Sequence, residues 1–345
     1  MSKIEFGLYT FADVPTGDTN LQLTTHQRFN NLMEQIKLAD ESGLNVFGIG
    51  EHHRLDYAVS SPATVLAAAA VITQNIRLTS AVTVLSSEDP VRVYQQFATV
   101  DQLSGGRAEI MVGRGSFIES FPLFGYDLDD YDELFEEKLN MLLTINSSPV
   151  PTWEGKLTQT ITRMGIFPRP YQDRLPIWQA IGGTPASAIR AGKLGLPLAL
   201  AIIGGLPKQF VPLIKLYKDT WAQHDHQTKF QLGINTHAYV AENSQTAAEE
   251  FFPSYATVMR RIGKERGWQP LSREQFEYMR TPEGSLMVGS PQQVIDKILY
   301  EYELFGFTRF LAQMSMGDLP HSKNLKSIEL FATKVVPELK KALHV

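Results

Sequence analysis

The chain has 345 residues, 43% of them apolar and 20% charged, with a formal net charge of -5. That balance offers no basic field for nucleic acid or an anionic membrane, and the absence of cysteine excludes disulfides, thiolate metal sites, iron–sulfur clusters and cysteine nucleophiles. No apolar run reaches the ~18 residues of a membrane span, and residues 1–10 read as a strand rather than a secretion signal, so the expected location is cytoplasmic.

Strand-like and helix-like segments alternate. Residues 4–9 form a short β-type run, followed by a helix over 25–42 with Phe29, Leu32, Met33, Ile36 and Leu38 at helical spacing. Residues 45–50 read as strand. Pro62 opens a helix that runs over 63–73. Residues 76–85 are strand, and Pro90 opens a helix to 102. Strand 108–112 precedes helix 130–145, strand 176–180 precedes helix 185–194, and strand 198–203 precedes helix 207–224. Strand 230–241 and helix 244–262 come next. A helix over 291–304, a strand over 308–314 and a helix over 324–343 end the series. The eight strands are nearly all unbroken apolar runs, which suits parallel strands buried on both faces.

At Gly43, Gly195 and Gly306 a helix ends and a strand starts at once. Glycine takes the left-handed dihedrals of a helix C-terminus without a Cβ penalty, and the recurrence implies repeated βα units. Eight units make either a closed barrel or a doubly wound sheet. No Gly-x-Gly-x-x-Gly follows the first strand, which disfavours a dinucleotide site. Strand count and length favour one α/β domain over 1–345, a (β/α)8 TIM barrel. Residues 147–174 and 264–288 exceed the minimal unit and read as insertions after strands 4 and 7.

In such a barrel the chemistry lies in the loops that follow the strands. After the second strand stand Glu51, His52, His53 and Arg54. An imidazole there suits general acid or base work near neutral pH. Neighbouring residues leaving a strand point to opposite sides, so His52 and His53 do not share a metal, and no metal is expected. After the fourth strand, Gly113-Arg114-Gly115 offers a planar fork for phosphate flanked by glycines, or an arginine paired with a rim carboxylate. After the fifth, Gly182-Gly183-Thr184-Pro185 leads into a helix N-terminus, an anion site. Arg114 and this turn lie on adjacent strands and can grip one phosphate. Small residues around Ala81 leave room for a flat ring. Tyr9, Phe11, Trp178, His237 and Met314 are candidates for a partly apolar pocket. No Gly-x-Ser-x-Gly elbow is present.

The ordered set resembles a known family. It comprises Glu51-His52-His53, Pro90-Val91-Arg92 with Leu103-Ser104-Gly105-Gly106-Arg107, and Gly113-Arg114-Gly115. Ile181-Gly182-Gly183 with Gly195-Leu196-Pro197 continues it, and Val288-Gly289-Ser290-Pro291-Gln292-Gln293-Val294 closes it. In order, over nearly the whole chain, these resemble the bacterial luciferase-like, FMN-dependent monooxygenases. The resemblance implies a (β/α)8 barrel, usually a homodimer, and reduced FMN delivered by a separate flavin reductase. Reaction with O2 then gives a C4a-(hydro)peroxide that oxygenates a small organic substrate.

Carried over residue by residue, His52 matches the catalytic histidine, with Glu51 beside it. Arg114 matches the phosphate arginine, and Gly182, Gly183 and Thr184 the phosphate turn. Ala81 and Val82 match a non-proline cis peptide under the flavin ring. Residues 264–288 resemble a mobile lid that shields the reaction from water. One departure stands out: luciferase carries a reactive cysteine where this chain has Gly113. That separates the chain from aldehyde chemistry and light emission and leaves flavin binding untouched. Two other readings share the barrel. One is an F420-dependent hydride-transfer oxidoreductase, less favoured because Arg114 and the glycine turn suit FMN. The other is a non-catalytic flavin-binding protein, which needs neither Glu51-His52 nor a lid.

Overall fold

The computed structural model describes residues 4–15, 23–115 and 117–345, so the run-in of the first expected strand at 1–3 lies outside them. The first half contains β1 (Glu5–Thr10), α1 (Thr25–Glu41), β2 (Val46–Ile49), α2 (Pro62–Ile72), β3 (Arg77–Ser80), β4 (Thr83–Val84), α3 (Pro90–Ser104), β5 (Ala108–Gly113), α4 (Ser120–Phe124) and α5 (Tyr131–Ser147). Then come β6 (Thr152–Trp153), β7 (Ile161–Thr162), β8 (Ile177–Ile181), α6 (Pro185–Leu194), β9 (Leu198–Ile202), α7 (Val211–Ala222) and β10 (Leu232–Val240). The last part holds α8 (Ser244–Arg266), α9 (Arg273–Met279), β11 (Met287–Gly289), α10 (Pro291–Phe305), β12 (Arg309–Gln313), α11 (His321–Leu330) and α12 (Val336–Ala342).

β1 pairs in parallel with β2 on one side and β12 on the other. The ladder continues through β3 with β4, β5, β8, β9 and β10, and β10 returns to β12. Counting β3 and β4 as one stave, eight parallel strands close on themselves, which is the expected barrel. Apolar residues on both strand faces make this possible, because one face fills the barrel and the other meets the helices. The three glycine junctions take φ of 77° at Gly43, 63° at Gly195 and 60° at Gly306, as the helix-to-strand turn requires.

The N-terminal end of the barrel is plugged by buried charge. Arg309, 1% exposed, binds Glu109 at 2.7 Å and Glu5 at 2.6 Å, and its guanidinium sits 4.1 Å from the Trp178 ring centroid. Arg77 adds a 2.6 Å contact to Glu109. The open end is therefore the other one, where the strands finish.

Four expectations need correction. The strand read over 76–85 is interrupted, because the Ala81–Val82 bond is cis and β4 resumes only at Thr83. The helix expected to cover the seventh strand does not join the main core. Ala247, Phe251, Tyr255 and Val258 of α8 form a separate cluster with Phe276 of α9 and Val288 of β11. It is α10, through Val294, Ile295 and Ile298, that packs on the barrel. The expected insertion over 264–288 thus lies within a larger cap over 244–289 that α8 begins. Periodicity finds two amphipathic helices but cannot tell which one meets the barrel.

The first insertion follows a helix, so it lies at the plugged end. It forms the β6–β7 hairpin, and Gln172 beyond it donates to the Ala108 carbonyl at 3.0 Å, at the start of β5. The last helix begins at His321 rather than 324 and is broken by a π-helical turn over Phe331–Val335. Pro337, near the start of α12, lacks the N–H that a continuous helix would use.

Candidate active site

A cavity of about 590 Å³ opens where the barrel strands end, within the usual size of a small-molecule cleft. Its walls come from barrel loops on one side and from the cap on the other.

The corner expected to hold an anion is built by β5 and β8, which are neighbours. Arg114 leaves β5 next to Gly113. Its Nη2 donates to Thr184 Oγ1 at 3.4 Å, its Nη1 binds Asp132, and the Tyr131 ring lies 5.3 Å away. Arg114 is thus paired with a rim carboxylate while also reaching the Thr184 hydroxyl. Thr184 is the N-cap of α6, yet its side chain makes no capping bond. Pro185 has no N–H, and the Ser187 N–H turns back to the Thr184 carbonyl at 3.1 Å. The Ala186 N–H therefore has no acceptor within the helix. A Cβ on Gly182 would meet no atom within 4 Å. Protein packing does not demand glycine there; the position opens on the cavity that Arg114 also lines. Gly183 has φ of 133°, which only glycine adopts without strain.

Next to this corner lies a slot with small walls. The cis Ala81–Val82 unit forms part of it, as the family resemblance implies, together with Ala180 and Ala199. Gly113 packs directly on Val82: a Cβ at 113 would stand 2.9 Å from Val82 Cγ2. A flat ring fits such a slot.

Across the mouth, Glu51 and His52 part ways. Glu51 is buried, and its Oε2 accepts the Val84 N–H at 2.9 Å while its Oε1 accepts from His53 Nε2 at 2.9 Å. It ties β2 to β4 just beyond the cis bond. The hydrogen bond donated to Glu51, partly offset by burial, holds the His53 pKa above its usual value. His52 instead lies in an aromatic cage. It stacks on Tyr57 with centroids 4.2 Å apart and meets the edges of Phe11 at 4.7 Å and Phe117 at 5.3 Å. Among the described residues its Nε2 is buried without a hydrogen-bond partner. Burial first, then the positive charges of Arg54, His53 and Arg261, push its pKa down to about 3. The near-neutral pKa expected from sequence does not hold; this imidazole is neutral at physiological pH.

The cap closes the cavity with Met259, Ile262, Trp268 and Met279. Arg54 binds Glu265, and Arg261 Nε lies 2.9 Å from Asp56, so α8 is fastened to the loop after β2. The sequence-based residues Glu51, His52, Ala81, Val82, Arg114, Gly182 and Thr184 all line this one cavity, with Gly183 in the same turn.

Of the pocket candidates, Tyr9, Phe11 and His237 line the cavity. Trp178 does not: it is buried in the barrel interior beneath Arg309. Met314 faces outward, its sulfur 3.9 Å from Ser327 Oγ, and alternation along β12 turns Gln313 inward in its place. Sequence reading missed Gln313, Met316, Phe117 and Met259. A polar residue ending a buried strand was the available signal for Gln313. Nothing local marked the others.

A closed parallel barrel with Arg114, a glycine-led helix start and a buried imidazole around one cavity at its strand ends defines a (β/α)8-barrel protein with a small-molecule cleft. The sequence profile of the luciferase-like monooxygenases matches residues 4–309, and the chain belongs to that family. It is 28% identical over 329 residues to the uncharacterized protein y4vJ of Sinorhizobium fredii (strain NBRC 101917 / NGR234), covering 91% of this chain and 92% of that one. Among solved structures, the monooxygenase RslO1 of Streptomyces bottropensis superposes with a TM-score of 0.85 at 24% identity, covering 97% and 99% of the two chains. The oxygenating constituent of 3,6-diketocamphane monooxygenase from Pseudomonas putida, solved with FMN, gives 0.78 at 19% identity, covering 98% and 99%.

Proposed function

We propose that the protein is the oxygenase component of a two-component flavin monooxygenase, taking reduced FMN from a separate flavin reductase and using O2 to oxygenate a small organic substrate. One observation carries this reading: Arg114 meets Thr184 beside the open Gly182 position, at one end of a slot that leads to His52.

In this reading Arg114, the Thr184 hydroxyl and the Ala186 N–H hold the FMN phosphate. Ala81 and Val82 support the ring. Bound reduced flavin supplies the two electrons by which one oxygen atom goes to the substrate and the other leaves as water. His52 Nε2, unpaired within the protein, exchanges a proton with the reacting oxygen. Glu51 has both oxygens engaged, so it acts as a positioning residue rather than a proton carrier. The cap excludes water, and its residues 264–288 are the candidate lid.

FMN in the diketocamphane enzyme supports the cofactor assignment, and the description of that protein as an oxygenating constituent supports a reductase partner. A homodimer goes with α2, which is apolar on all sides and leaves Val71 67% exposed. No helix among the described residues is long and apolar enough to cross a membrane; a cytoplasmic setting would bring reductase and oxygenase together.

The test is titration of the protein with FMN and with F420, followed by O2 uptake and product analysis with supplied reduced FMN. Low-micromolar FMN binding with an oxygenated product is expected. F420 binding alone would assign hydride transfer instead. FMN binding that never yields product would leave a flavin-binding protein.

A further inference from the structure

The half of the cavity away from Arg114 carries a row of polar groups that the flavin reading does not use. The register pairs Tyr9 with Gln313 and Gln313 with His237, so the three stand at one level of the barrel wall. All three are buried and line the cavity. Asn235 lies two residues before His237 on the same face of β10.

The two amides of this wall are poorly partnered. Among the described residues, Gln313 Nε2 donates only to the Met316 sulfur, at 3.3 Å, and Asn235 Nδ2 only to the Met111 sulfur, at 3.9 Å. A thioether accepts and cannot donate. The Met316 contact therefore fixes which end of the Gln313 amide is the carbonyl. Among the described residues, Gln313 Oε1 and Asn235 Oδ1 accept no hydrogen bond, and a buried acceptor left unpaired is costly. The level also carries no charge. Burial pushes the His237 pKa down to about 4 and the Tyr9 phenol up. His237 Nδ1 is 3.4 Å from Tyr255 Oη, again a neutral partner. Of the charged lining groups at the mouth, Glu51 is held by His53 and Val84, and Asp13 lies 4.0 Å from Arg261. Arg266 sits over the Phe117 and Trp268 rings. Around the polar row the wall is Val258, Met259, Met279 and Met316, flexible apolar side chains that adapt to shape.

We propose that Gln313, flanked by His237 and Tyr9, is the substrate anchor, and that the substrate is an uncharged, largely apolar molecule whose O–H or N–H donates to the Gln313 carbonyl. An ionised head at this level would find no counter-ion and would lose its hydration. That the bound molecule is a substrate rests on the flavin reading above; that the anchor binds such a molecule does not.

The experiment is calorimetric titration of the full chain, with and without FMN, using 4-propylphenol, 4-propylbenzoate and propylbenzene. The phenol is expected to saturate the site and to bind at least tenfold more tightly than either of the others. Gln313→Met keeps the volume and removes the acceptor. It is expected to lower phenol affinity about tenfold, to the level of propylbenzene, with FMN affinity within twofold. Should that variant not fold, Met316→Leu removes the sulfur that orients the amide and is expected to cut the phenol preference several-fold. No saturable phenol binding, equal binding of the benzoate, or variants indistinguishable from the parent would overturn the proposal. Equal losses of FMN and phenol in Gln313→Met would also overturn it, by assigning Gln313 to the cofactor. Loss of FMN binding by the parent alone would remove the flavin reading and leave the anchor standing.

Discussion

Glu51 and His53 are joined Oε1 to Nε2 at 2.9 Å, while His52, between them in sequence, faces the cavity and makes no such bond. The carboxylate therefore raises the proton affinity of His53 rather than that of His52. His53 has a folded pKa above its usual 6.5, with the Glu51 hydrogen bond the largest cause. Its contribution to stability is full below 6.5 and fades as pH climbs through the folded value. Glu51→Gln is expected to cost roughly 2 kcal/mol at pH 5.5 and clearly less at pH 9, measured by urea denaturation at both. An equal loss at the two pH values would contradict the pairing.

His52 is the reverse case. Burial leads the causes that lower its pKa to about 3, so the ring stays neutral throughout pH 5–9. A catalytic limb near pH 6.5 is therefore not expected from this residue. His52→Ala should lower turnover with reduced FMN by about 10²–10⁴-fold and leave the shape of the pH–rate profile unchanged. The profile is the decisive readout. A limb near 6.5 that vanishes in the variant would mean that His52 titrates during turnover.

Much of this site was legible because its parts fall at the ends of strands. Once eight apolar runs were counted, Glu51, Arg114 and Gly182 had to converge on one mouth, and they do. What could not be read was sidedness and electrostatics. Nothing in Glu51-His52-His53 says which imidazole takes the carboxylate; that follows from where β2 ends relative to Val84. The neutrality of His52 comes from Tyr57, Phe11 and Phe117, which lie on three separate segments. Likewise α8 and α10 have similar amphipathic patterns, and only three-dimensional packing shows that α8 belongs to the cap. Met314 was one residue out of register, which along a strand reverses the face.

Asp132 would compete with a phosphate for Arg114. It is 71% exposed at its side chain and binds Arg114 Nη1, so an incoming anion must displace it or share the guanidinium. Asp132→Asn is expected to tighten FMN binding by about three- to tenfold. Riboflavin, which lacks the phosphate, should show no change, and Arg114→Ala should weaken FMN but not riboflavin. Fluorescence titration of both flavins measures this. A parallel change for riboflavin would place the phosphate elsewhere.

Gly113 is where luciferase has a reactive cysteine, and here Val82 occupies the space a side chain would need. A Cβ at 113 would lie 2.9 and 3.0 Å from the two Val82 methyl carbons. Valine is stiff about its single χ1 torsion, so the contact cannot be relieved by rotation alone. Gly113→Cys is expected to destabilise the protein by ~1–3 kcal/mol and to weaken FMN binding by displacing Val82. Thermal melting and flavin titration check both. A variant as stable as the parent would show that the Val82 wall yields.

The plugged end of the barrel makes its own pH prediction. Burial would raise the Glu109 pKa, but Arg309 and Arg77 outweigh it and hold the carboxyl at about 2. A depressed carboxyl contributes stability that is present above its unfolded value of 4.5 and lost as pH falls toward 2. Glu109→Gln leaves Arg309, 1% exposed, with Glu5 as its remaining carboxylate partner. Breaking a buried pair in this way costs roughly 3–5 kcal/mol. The variant is therefore expected to unfold far more easily at pH 7 in guanidinium. The gap should narrow between pH 4.5 and pH 2, where the parent carboxylate itself takes up a proton. Because this network lies at the opposite end of the barrel from Arg114, flavin affinity of the folded variant should match that of the parent. A constant gap down to pH 2 would mean that Glu109 is not held ionised by its arginines.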